Sequence, residues 1–560
     1  MNANIARHLD SRAAEQPHVA ALKIPRGRTR AGEIDYLSLS FAELDAEVDA
    51  WCARLAARGV RRGDRTLVMV GPGLPLISAA FALFRMGAVP VIIDPGMGLR
   101  SFLRCVAHAR PRALVGIPFA RLASRLFRAS FRSVAVRVGA GSSGVARISK
   151  EGRPGSTRLV RLRSSEVVRR GSPQVTCGAG DLAAILFTSG STGFPKGVCY
   201  EHGMFDAQVR LIQETYGISP GEVDLPMLPI FALFNPALGM TTVVPEIDPR
   251  RPAAADPAKI VQAIRQESVT NSFGSPTLWR IVAAHCHERG IALPSLRRVL
   301  CAGAPVPAAL WKDARGFLPN GRLHSPYGAT EALPVSSISE DEIAPGIRGA
   351  PIGRRVRGID VKIISIVDGP IATLADAREL SAGEIGEIIV RGAVVTREYD
   401  GLPEATARAK IPESTEPGGP FWHRMGDCGY LDPAGRLWFC GRVAERVETA
   451  AGPLYTEPCE QVFHGHPRAA RCALIGLGAR GRQIPALVAE TRPKNAAEAA
   501  VLAQELGRLA RIHPDTAAVA RFYFRPHFPV DVRHNAKIHR LALAQWARTA
   551  KGFEFDPKTP

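Results

Sequence analysis

Residues 181–201, DLAAILFTSGSTGFPKGVCYE, decide how the rest of this chain is interpreted. Residues 182–187 are an apolar run of the length expected for a buried strand. Residues 188–197, TSGSTGFPKG, then combine glycines, hydroxyl side chains and a lysine. Glycine allows successive backbone N–H groups to point at one anion, and hydroxyl and ammonium groups donate to phosphate oxygens. The stretch therefore predicts a phosphate-binding loop that consists of Thr188, Ser189, Gly190, Ser191, Thr192, Gly193 and Lys196.

A solvated Gly/Ser turn is the simplest alternative for this loop, since such a composition is common in turns. The preceding strand and the lysine at the end of the loop favour phosphate binding instead. A Walker loop does not fit, because that pattern requires Gly-Lys followed by Ser or Thr. Here Lys196 lies between Pro195 and Gly197.

Strand and helix patterns alternate along most of the chain. Residues 41–59 repeat apolar side chains at helical spacing, and Ser40 with Glu43 matches an N-terminal capping box. Residues 66–71 and 88–94 are typical of buried strands. This alternation predicts a layered α/β domain with parallel strands, followed by a smaller α+β unit. We expect domains at residues 1–442 and 443–560.

Residues 129–180 differ from their surroundings, because they are rich in Gly, Ser and Arg. They contain Gly139-x-Gly141-x-x-Gly144 after a strand-like segment, which formally matches a dinucleotide fingerprint. No amphipathic helix follows, as that fingerprint requires. We therefore expect a flexible basic insertion in this region rather than a nucleotide site.

The net charge of +20 admits a nucleic-acid or anionic-membrane surface. The arginines are scattered without the interleaved aromatics of a nucleic-acid platform, so we expect no nucleic-acid partner and at most peripheral membrane contact. The ten cysteines form no CxxC pair, which favours reduced thiols over a metal or disulfide framework. The N-terminal residues lack the apolar core of a signal peptide, and we expect a cytoplasmic protein.

Five further short motifs carry polar chemistry. Tyr327-Gly328-Ala329-Thr330-Glu331 places an aromatic ring, which can stack on a purine, beside a carboxylate that can hold Mg²⁺. The turn Gly303-Ala304-Pro305 could present backbone groups to a base edge. Asp427 could accept two ribose hydroxyls, and Arg442 and Lys537 follow near the start and the end of the smaller unit.

The order and separation of these motifs resemble those of the ATP-dependent adenylate-forming superfamily, which includes acyl-CoA synthetases and peptide-synthetase adenylation domains. The resemblance covers nearly the whole chain and implies a large N-terminal domain with a mobile C-terminal domain. It implies that a carboxylate reacts with ATP and Mg²⁺ to give an acyl adenylate and pyrophosphate. By motif, Ala304 and Tyr327 would contact adenine, and Gly303, Pro305 and Gly328 beside them would belong to the same ATP site. Thr330 would bind the α-phosphate, Asp427 and Arg442 the ribose, and Glu331 and Thr188 the Mg²⁺. Lys537, with Glu331, Thr188 and Lys196, would be catalytic.

Several positions depart from the pattern of members that form CoA thioesters. Ala232 stands where such members usually have a histidine, and Met425 stands where threonine is usual. In the region after Arg442, Ala444, Ala451 and Pro453 replace the usual acid, glycine and arginine. These changes leave the adenylation residues intact and argue against thioester formation.

In detail the chain resembles the β-lactone synthetases of bacterial long-chain olefin biosynthesis. That family acts on 2-alkyl-3-hydroxy fatty acids, and a β-lactone decarboxylase with which the enzyme could assemble consumes the product. The resemblance implies an acyl pocket at Phe231, Ala232, Phe234 and Leu333, although these apolar residues could equally be core. A long-chain acyl-CoA or acyl-AMP ligase is the nearest alternative. A non-catalytic scaffold is a second alternative, against which the intact Lys196, Glu331, Asp427 and Lys537 argue.

Overall fold

The fold is taken from a computed structural model of the 560-residue chain. The structure describes residues 2–140, 175–188, 195–248, 251–343, 348–416, 418–469, 471–530 and 538–557. Four sheets organise these residues, and the largest and the six-stranded one belong to the N-terminal part.

The N-terminal part begins with a helix and two strands that join the largest sheet, and it continues with alternating strands and helices. Its first elements are α1 (Arg7–Glu15), β1 (Ala20–Arg28), β2 (Ile34–Ser40), α2 (Phe41–Ala57), β3 (Arg65–Met69), α3 (Leu74–Arg85), β4 (Val89–Ile93), α4 (Leu99–Ala109), β5 (Ala113–Gly116), α5 (Pro118–Leu126), β6 (Val136–Gly139), β7 (Leu182–Thr188) and β8 (Lys196–Glu201). Strands β6-β5-β3-β4-β7-β8 form the six-stranded sheet in that order. All neighbours in it are parallel except β7 and β8, which form a hairpin.

The middle of the chain forms most of the largest sheet. Its elements are α6 (His202–Tyr216), β9 (Val223–Asp224), α7 (Asn235–Leu238), β10 (Thr241–Val243), α8 (Pro257–Gln266), β11 (Asn271–Gly274), α9 (Pro276–Arg289), β12 (Arg298–Cys301), α10 (Ala308–Phe317), β13 (Arg322–Ala329), β14 (Ala332–Ser339), β15 (Ala350–Arg355), β16 (Asp360–Ile364), β17 (Gly386–Arg391), α11 (Pro403–Ala409), β18 (Lys410–Pro412), β19 (Phe421–Leu431) and β20 (Leu437–Arg442). The strand order is β16-β17-β19-β20-β15-β14-β13-β12-β11-β9-β10-β1-β2, with β18 paired to β19.

A small α+β domain follows β20. It contains β21 (Val447–Thr449), β22 (Gly452–Leu454), α12 (Thr456–Gln461), β23 (Cys472–Leu477), β24 (Ile484–Glu490), α13 (Ala496–Ile512), β25 (Arg521–Arg525), α14 (Arg540–Ala547) and β26 (Phe553–Glu554). Strands β23-β24-β25-β26 form a sheet separate from the large ones, and α13 packs its apolar residues against it. The predicted α/β class and the smaller C-terminal domain are confirmed.

Local sequence signals account for several of these elements. The predicted capping box is present, since the Ser40 side chain accepts from the Glu43 amide and the Glu43 carboxylate accepts from the Ser40 amide. Gly59, just beyond the end of α2, has a φ of 82°, which favours glycine. Helix α3 is almost wholly buried in a core formed with α2 and the six-stranded sheet. No helix among the described residues is long and apolar enough to cross a bilayer.

The expectation of a flexible insertion at residues 129–180 is wrong at both ends. Strand β6 (Val136–Gly139) pairs in parallel with β5 and forms the edge of the six-stranded sheet. At the other end the Val175 amide donates to the Arg85 carbonyl oxygen. The strand-like residues before Gly139 therefore belong to the sheet, because their backbone groups complete the ladder. Residues 141–174, which include Gly141 and Gly144, lie outside the described residues.

Candidate active site

The centre of the candidate site is the tight turn between β13 and β14, which carries Thr330 and Glu331. At Gly328 a Cβ would lie 2.6 Å from the Ala332 carbonyl oxygen, so only glycine fits this close approach. The Tyr200 hydroxyl on β8 donates to the Thr330 carbonyl oxygen over 2.6 Å. The predicted phosphate-binding hairpin and the YGATE segment, far apart in sequence, therefore contact each other.

A second group of polar residues connects Tyr327 to the end of β20. The Tyr327 hydroxyl donates to Oδ2 of Asp427 over 2.6 Å, and Arg442 donates to Oδ1 over 2.7 Å. Burial, together with the adjacent Asp427 carboxylate, raises the pKa of Tyr327, while the carboxylate raises that of Arg442. A carboxylate can accept about four hydrogen bonds, so Asp427 keeps lone pairs for the hydroxyls of a sugar.

Glu331 and Lys196 meet across the ring of Tyr399. The Tyr399 hydroxyl donates to Oε1 of Glu331 over 2.9 Å, and the Lys196 ammonium lies 4.6 Å from the centre of the same ring. Burial lowers the pKa of Lys196, and the field of Glu331 opposes that shift. Among the described residues no group donates a hydrogen bond to Oε2 of Glu331, so this oxygen can bind a cation.

A buried lysine lies behind Glu331. Lys410 is only 7% exposed, and its ammonium donates to the carbonyl oxygen of Thr396 and lies 3.1 Å from Nδ1 of His423. The Thr396 amide in turn donates to the Glu331 carbonyl oxygen. Burial lowers the pKa of Lys410 to about 7, because its ammonium forms no ion pair with any described carboxylate. Lys410 thus fixes the segment that carries Tyr399.

Replacing Lys410 with methionine should change how stability depends on pH. Below pH 7 the wild-type ammonium is charged in the folded and unfolded chains, so its full burial cost is present. As the pH rises above about 7, the folded chain loses this proton while the unfolded chain keeps it to about 10.4. Between pH 7 and pH 9 the wild type should therefore gain roughly 2–3 kcal/mol of unfolding free energy relative to Lys410→Met.

Urea unfolding of both proteins at the two pH values measures this difference. Lys362→Met is the matched control, since the Lys362 ammonium lies 5.7 Å from the ring of Trp422 on β19 but is paired with Glu379 at the surface. Its stability should keep a constant offset from the wild type. A constant offset for Lys410→Met as well would mean that Lys410 is not buried as described.

The predicted adenine contacts lie on neighbouring parallel strands. Gly303, Ala304 and Pro305 follow the carboxyl end of β12, which pairs with β13, the strand that carries Tyr327. Gly303 has a φ of 99° and therefore needs glycine. The structure thus brings the two predicted adenine-binding segments to one edge of the sheet, where a planar base can be held.

The predicted acyl contacts lie in an aromatic cluster next to that edge. Phe231 stacks on Phe273 with ring centres 3.7 Å apart, and it packs with Ala302, which precedes Gly303. Phe234 stacks on Phe205 with centres 5.0 Å apart. Leu333, the remaining predicted contact, lies instead against Gly328 of the YGATE turn. Through Ala302 the aromatic cluster reaches Gly303, and it thus lies next to the predicted adenine-binding turn.

Ala232 lies at the wall of a small apolar cavity. The cavity is lined also by Pro72, Gly73, Thr242 and Val244. Ala232 is 4% exposed, and histidine at this position would place a polar ring among apolar groups. Met425, the other departure in the core, is likewise buried. The positions of Ala232 and Met425 are both buried and suit apolar side chains.

Several predicted residues cannot be placed. Ser189, Gly190, Ser191, Thr192, Gly193 and Lys537 lie outside the described residues, and only the backbone of Thr188 is described, paired with Lys196 in the β7–β8 hairpin. Next to Lys537, however, Ile538 forms a bridge with Val530. Arg540, half-buried in the small domain, donates to Glu445, three residues after Arg442. The start of α14 is therefore tied to the junction that carries Arg442.

Sequence reasoning missed Tyr399, Thr396, Lys410 and His423. Tyr399 had no signal of its own, since it lies in the segment between β17 and α11 and belongs to none of the predicted motifs. Lys410 had none, because a single lysine in a strand is usually at the surface. Its burial follows from the pairing of β18 with β19, which places Lys410 opposite His423.

The donor set fits a nucleotide with a divalent cation. Asp427 and Arg442 suit a ribose, Lys196 suits phosphate oxygens, and Oε2 of Glu331 suits Mg²⁺, which prefers carboxylates and shares its other ligands with phosphates. Among the described residues no group of three metal-ligating side chains converges. A cation bridged by nucleotide phosphates needs only one or two carboxylates.

Comparison with known sequences identifies a family and several relatives. The model of the family described as AMP-binding enzyme matches residues 9–400. The chain is 45% identical to the olefin beta-lactone synthetase of Xanthomonas campestris pv. campestris, over 97% of both chains. It is 43% identical to the protein of the same name from Stenotrophomonas maltophilia, over 97% of this chain and 98% of that one. A feruloyl-CoA synthase from an Amycolatopsis species is 30% identical over 83% of this chain and 84% of its own.

Solved structures share the fold. ATP-bound MatB from Rhodopseudomonas palustris superposes with a TM-score of 0.76 at 21% identity and covers 98% of this chain and 99% of its own. MenE from Bacillus subtilis, in complex with ATP and magnesium, gives a TM-score of 0.72 at 20% identity over 96% of this chain and 98% of its own. At these identities the likeness concerns the architecture, including the separate small C-terminal domain.

Proposed function

The chain belongs to the AMP-binding enzyme family, and from that premise we propose that it is an ATP-dependent β-lactone synthetase. Its substrate would be a 2-alkyl-3-hydroxy fatty acid, and its products a β-lactone, AMP and pyrophosphate. The observation that carries the proposal is Asp427, which accepts from both Tyr327 and Arg442 and so suits a ribose, and the apolar surroundings of Ala232 and Phe231 support it. The named relatives at 45% and 43% identity support the same choice over an acyl-CoA ligase.

In the first step the substrate carboxylate would attack the α-phosphorus of ATP and displace pyrophosphate. Asp427 and Arg442 would hold the ribose, Tyr327 and Ala304 the adenine, and Lys196 the leaving phosphates. Mg²⁺ held by Glu331 would neutralise phosphate charge, and Tyr399 would keep that carboxylate oriented. Lys537 would reach the α-phosphate as charge develops there, which stabilises the transition state selectively.

In the second step the 3-hydroxyl oxygen would attack the acyl carbon of the adenylate. A C–O bond of the four-membered ring forms, the bond from the acyl carbon to the phosphate oxygen breaks, and AMP leaves while the hydroxyl proton passes to a base. Confinement removes the entropy cost of bringing the two groups together and excludes competing water. The apolar residues around Ala232 suit the alkyl chains.

Mass analysis of the products tests this function. We expect ATP and a 2-alkyl-3-hydroxy acid, without CoA, to give a product that equals the acid minus one water, with one AMP per product. The matched substrate is the same acid without its 3-hydroxyl group, which should stop at the adenylate. If product forms only when CoA is present, the chain is an acyl-CoA ligase and the lactone proposal fails.

We further propose a cytoplasmic location and mobility of the small domain between steps. The reactive β-lactone would be consumed by a decarboxylase of the same pathway, with which this chain could assemble. Pull-down with that decarboxylase tests the assembly, and failure of the pull-down would leave the catalytic proposal intact.

A further inference from the structure

Helix α5 (Pro118–Leu126) has its large apolar residues on the outside. Phe119 is 71% exposed, Leu122 54% and Leu126 70%, whereas the residues that face the sheet are Ala120 and Ser124. Phe119, Leu122 and Leu126 are three and four positions apart, so they form one stripe along the helix. We refer to these three residues as the α5 apolar face.

This exposure is concentrated in one place. Of the twelve exposed large hydrophobic residues in the described part of the chain, five lie between positions 117 and 127. Single exposed apolar residues are ordinary on protein surfaces, but a contiguous group marks a contact with another body. The helix is not loosely attached, because Ser124 accepts a hydrogen bond of 2.9 Å from the Arg137 guanidinium on β6.

The charges around the α5 apolar face indicate the chemistry of its binding partner. Arg125, Arg128 and Arg132 are exposed, and none forms an ion pair with a carboxylate of the described residues. Residues 95–150 contain no Asp or Glu at all. An apolar stripe flanked only by cations is complementary to an anionic lipid surface, where the rings and alkyl groups enter the headgroup boundary and the guanidiniums meet phosphates.

The position of the helix suits a flat partner. Strand β6 is the edge of the six-stranded sheet, and α5 connects β5 to it. Helix α5 therefore lies at the margin of the N-terminal domain. Its first residue follows the carboxyl end of β5, which lies at the same edge of the parallel strands as the carboxyl end of β7. We propose that the α5 apolar face and its flanking arginines dock this protein on an anionic membrane surface.

The proposal goes beyond the proposed function and does not depend on it, since docking is measured without catalysis. Flotation of the full-length protein with vesicles of phosphatidylcholine, with and without about 30% phosphatidylglycerol, tests it. The wild type should float with the anionic vesicles, less so as salt rises, and not with phosphatidylcholine alone.

Two variants separate the apolar contribution to vesicle binding from the electrostatic one. Replacing Phe119, Leu122 and Leu126 together by serine should weaken binding at least about tenfold, because their apolar surface no longer leaves water. Replacing Arg125, Arg128 and Arg132 by glutamine should weaken it about a hundredfold and remove the salt dependence, since each cation near an anionic surface contributes about 1 kcal/mol. Circular dichroism checks that both variants are folded.

Ile512→Ser is the matched control, because Ile512 is 82% exposed at the end of α13 in the small domain. It should float as the wild type does. Equal flotation of the apolar-face variant and the wild type would overturn the proposal. So would a wild type that ignores vesicles but self-associates through Phe119, because the face would then be an interface between copies.

Discussion

Replacing Lys537 with alanine should reduce carboxylate-dependent pyrophosphate release by about 10²- to 10³-fold, the usual cost of one preorganised group that stabilises a developing charge. The reason is positional. Arg540 is held by a bidentate contact with Glu460 and a further contact with Glu445. The start of α14, three residues after Lys537 in the sequence, is thereby tied to the junction after Arg442.

The loss should appear in kcat rather than in the KM for ATP, since the ammonium is needed most when negative charge grows on the α-phosphate. Pyrophosphate release measured over a range of ATP concentrations gives both constants. Lys494→Ala is the matched control, because Lys494 is an exposed lysine of the same small domain, and it should behave as the wild type. Unchanged pyrophosphate release from Lys537→Ala would show that another residue has this role.

Features that depend on neighbours in sequence could be predicted. The cap of α2 at Ser40 and Glu43 and the strand before the predicted phosphate loop follow from local hydrogen bonding and from apolar spacing. The residues of β6 are strand-like, but the Gly-rich sequence that follows them predicts an insertion. The place of β6 in the sheet depends on pairing with β5, which sequence spacing does not encode.

The candidate site also has parts that the sequence predicts and parts that only the fold shows. Asp427 and Tyr327, one hundred positions apart, could be associated only through the resemblance to a family, and the hydrogen bond between them is a product of the fold. Burial of Lys410 and exposure of Phe119 both contradict the usual behaviour of their residue types. Tertiary packing gives such residues an exposure that is unusual for their type. Positions of this kind are often functional.

Replacing Asp427 with alanine should raise the KM for ATP about a hundredfold, as is typical when one partner of a buried, hydrogen-bonded charge pair is removed. The change deletes the acceptor of both the Arg442 guanidinium and the Tyr327 hydroxyl. Water would then occupy the acceptor position of these two donors, and the Tyr327 ring would lose the hydrogen bond that orients it. Asp427→Asn, which keeps an acceptor oxygen but not the charge, should lie between the wild type and the alanine variant.

Asp432→Ala is a closely matched control for the loss of a carboxylate. Asp432 lies in the same β19–β20 hairpin, is buried, and also accepts from an arginine and an aromatic side chain, Arg436 and Trp438. Both alanine variants should lower the unfolding free energy by about 1–3 kcal/mol through unpaired donors. Only Asp427→Ala should weaken binding of a fluorescent ATP analogue. If both variants weaken it equally, the loss comes from disturbance of the hairpin, and Asp427 does not hold the nucleotide.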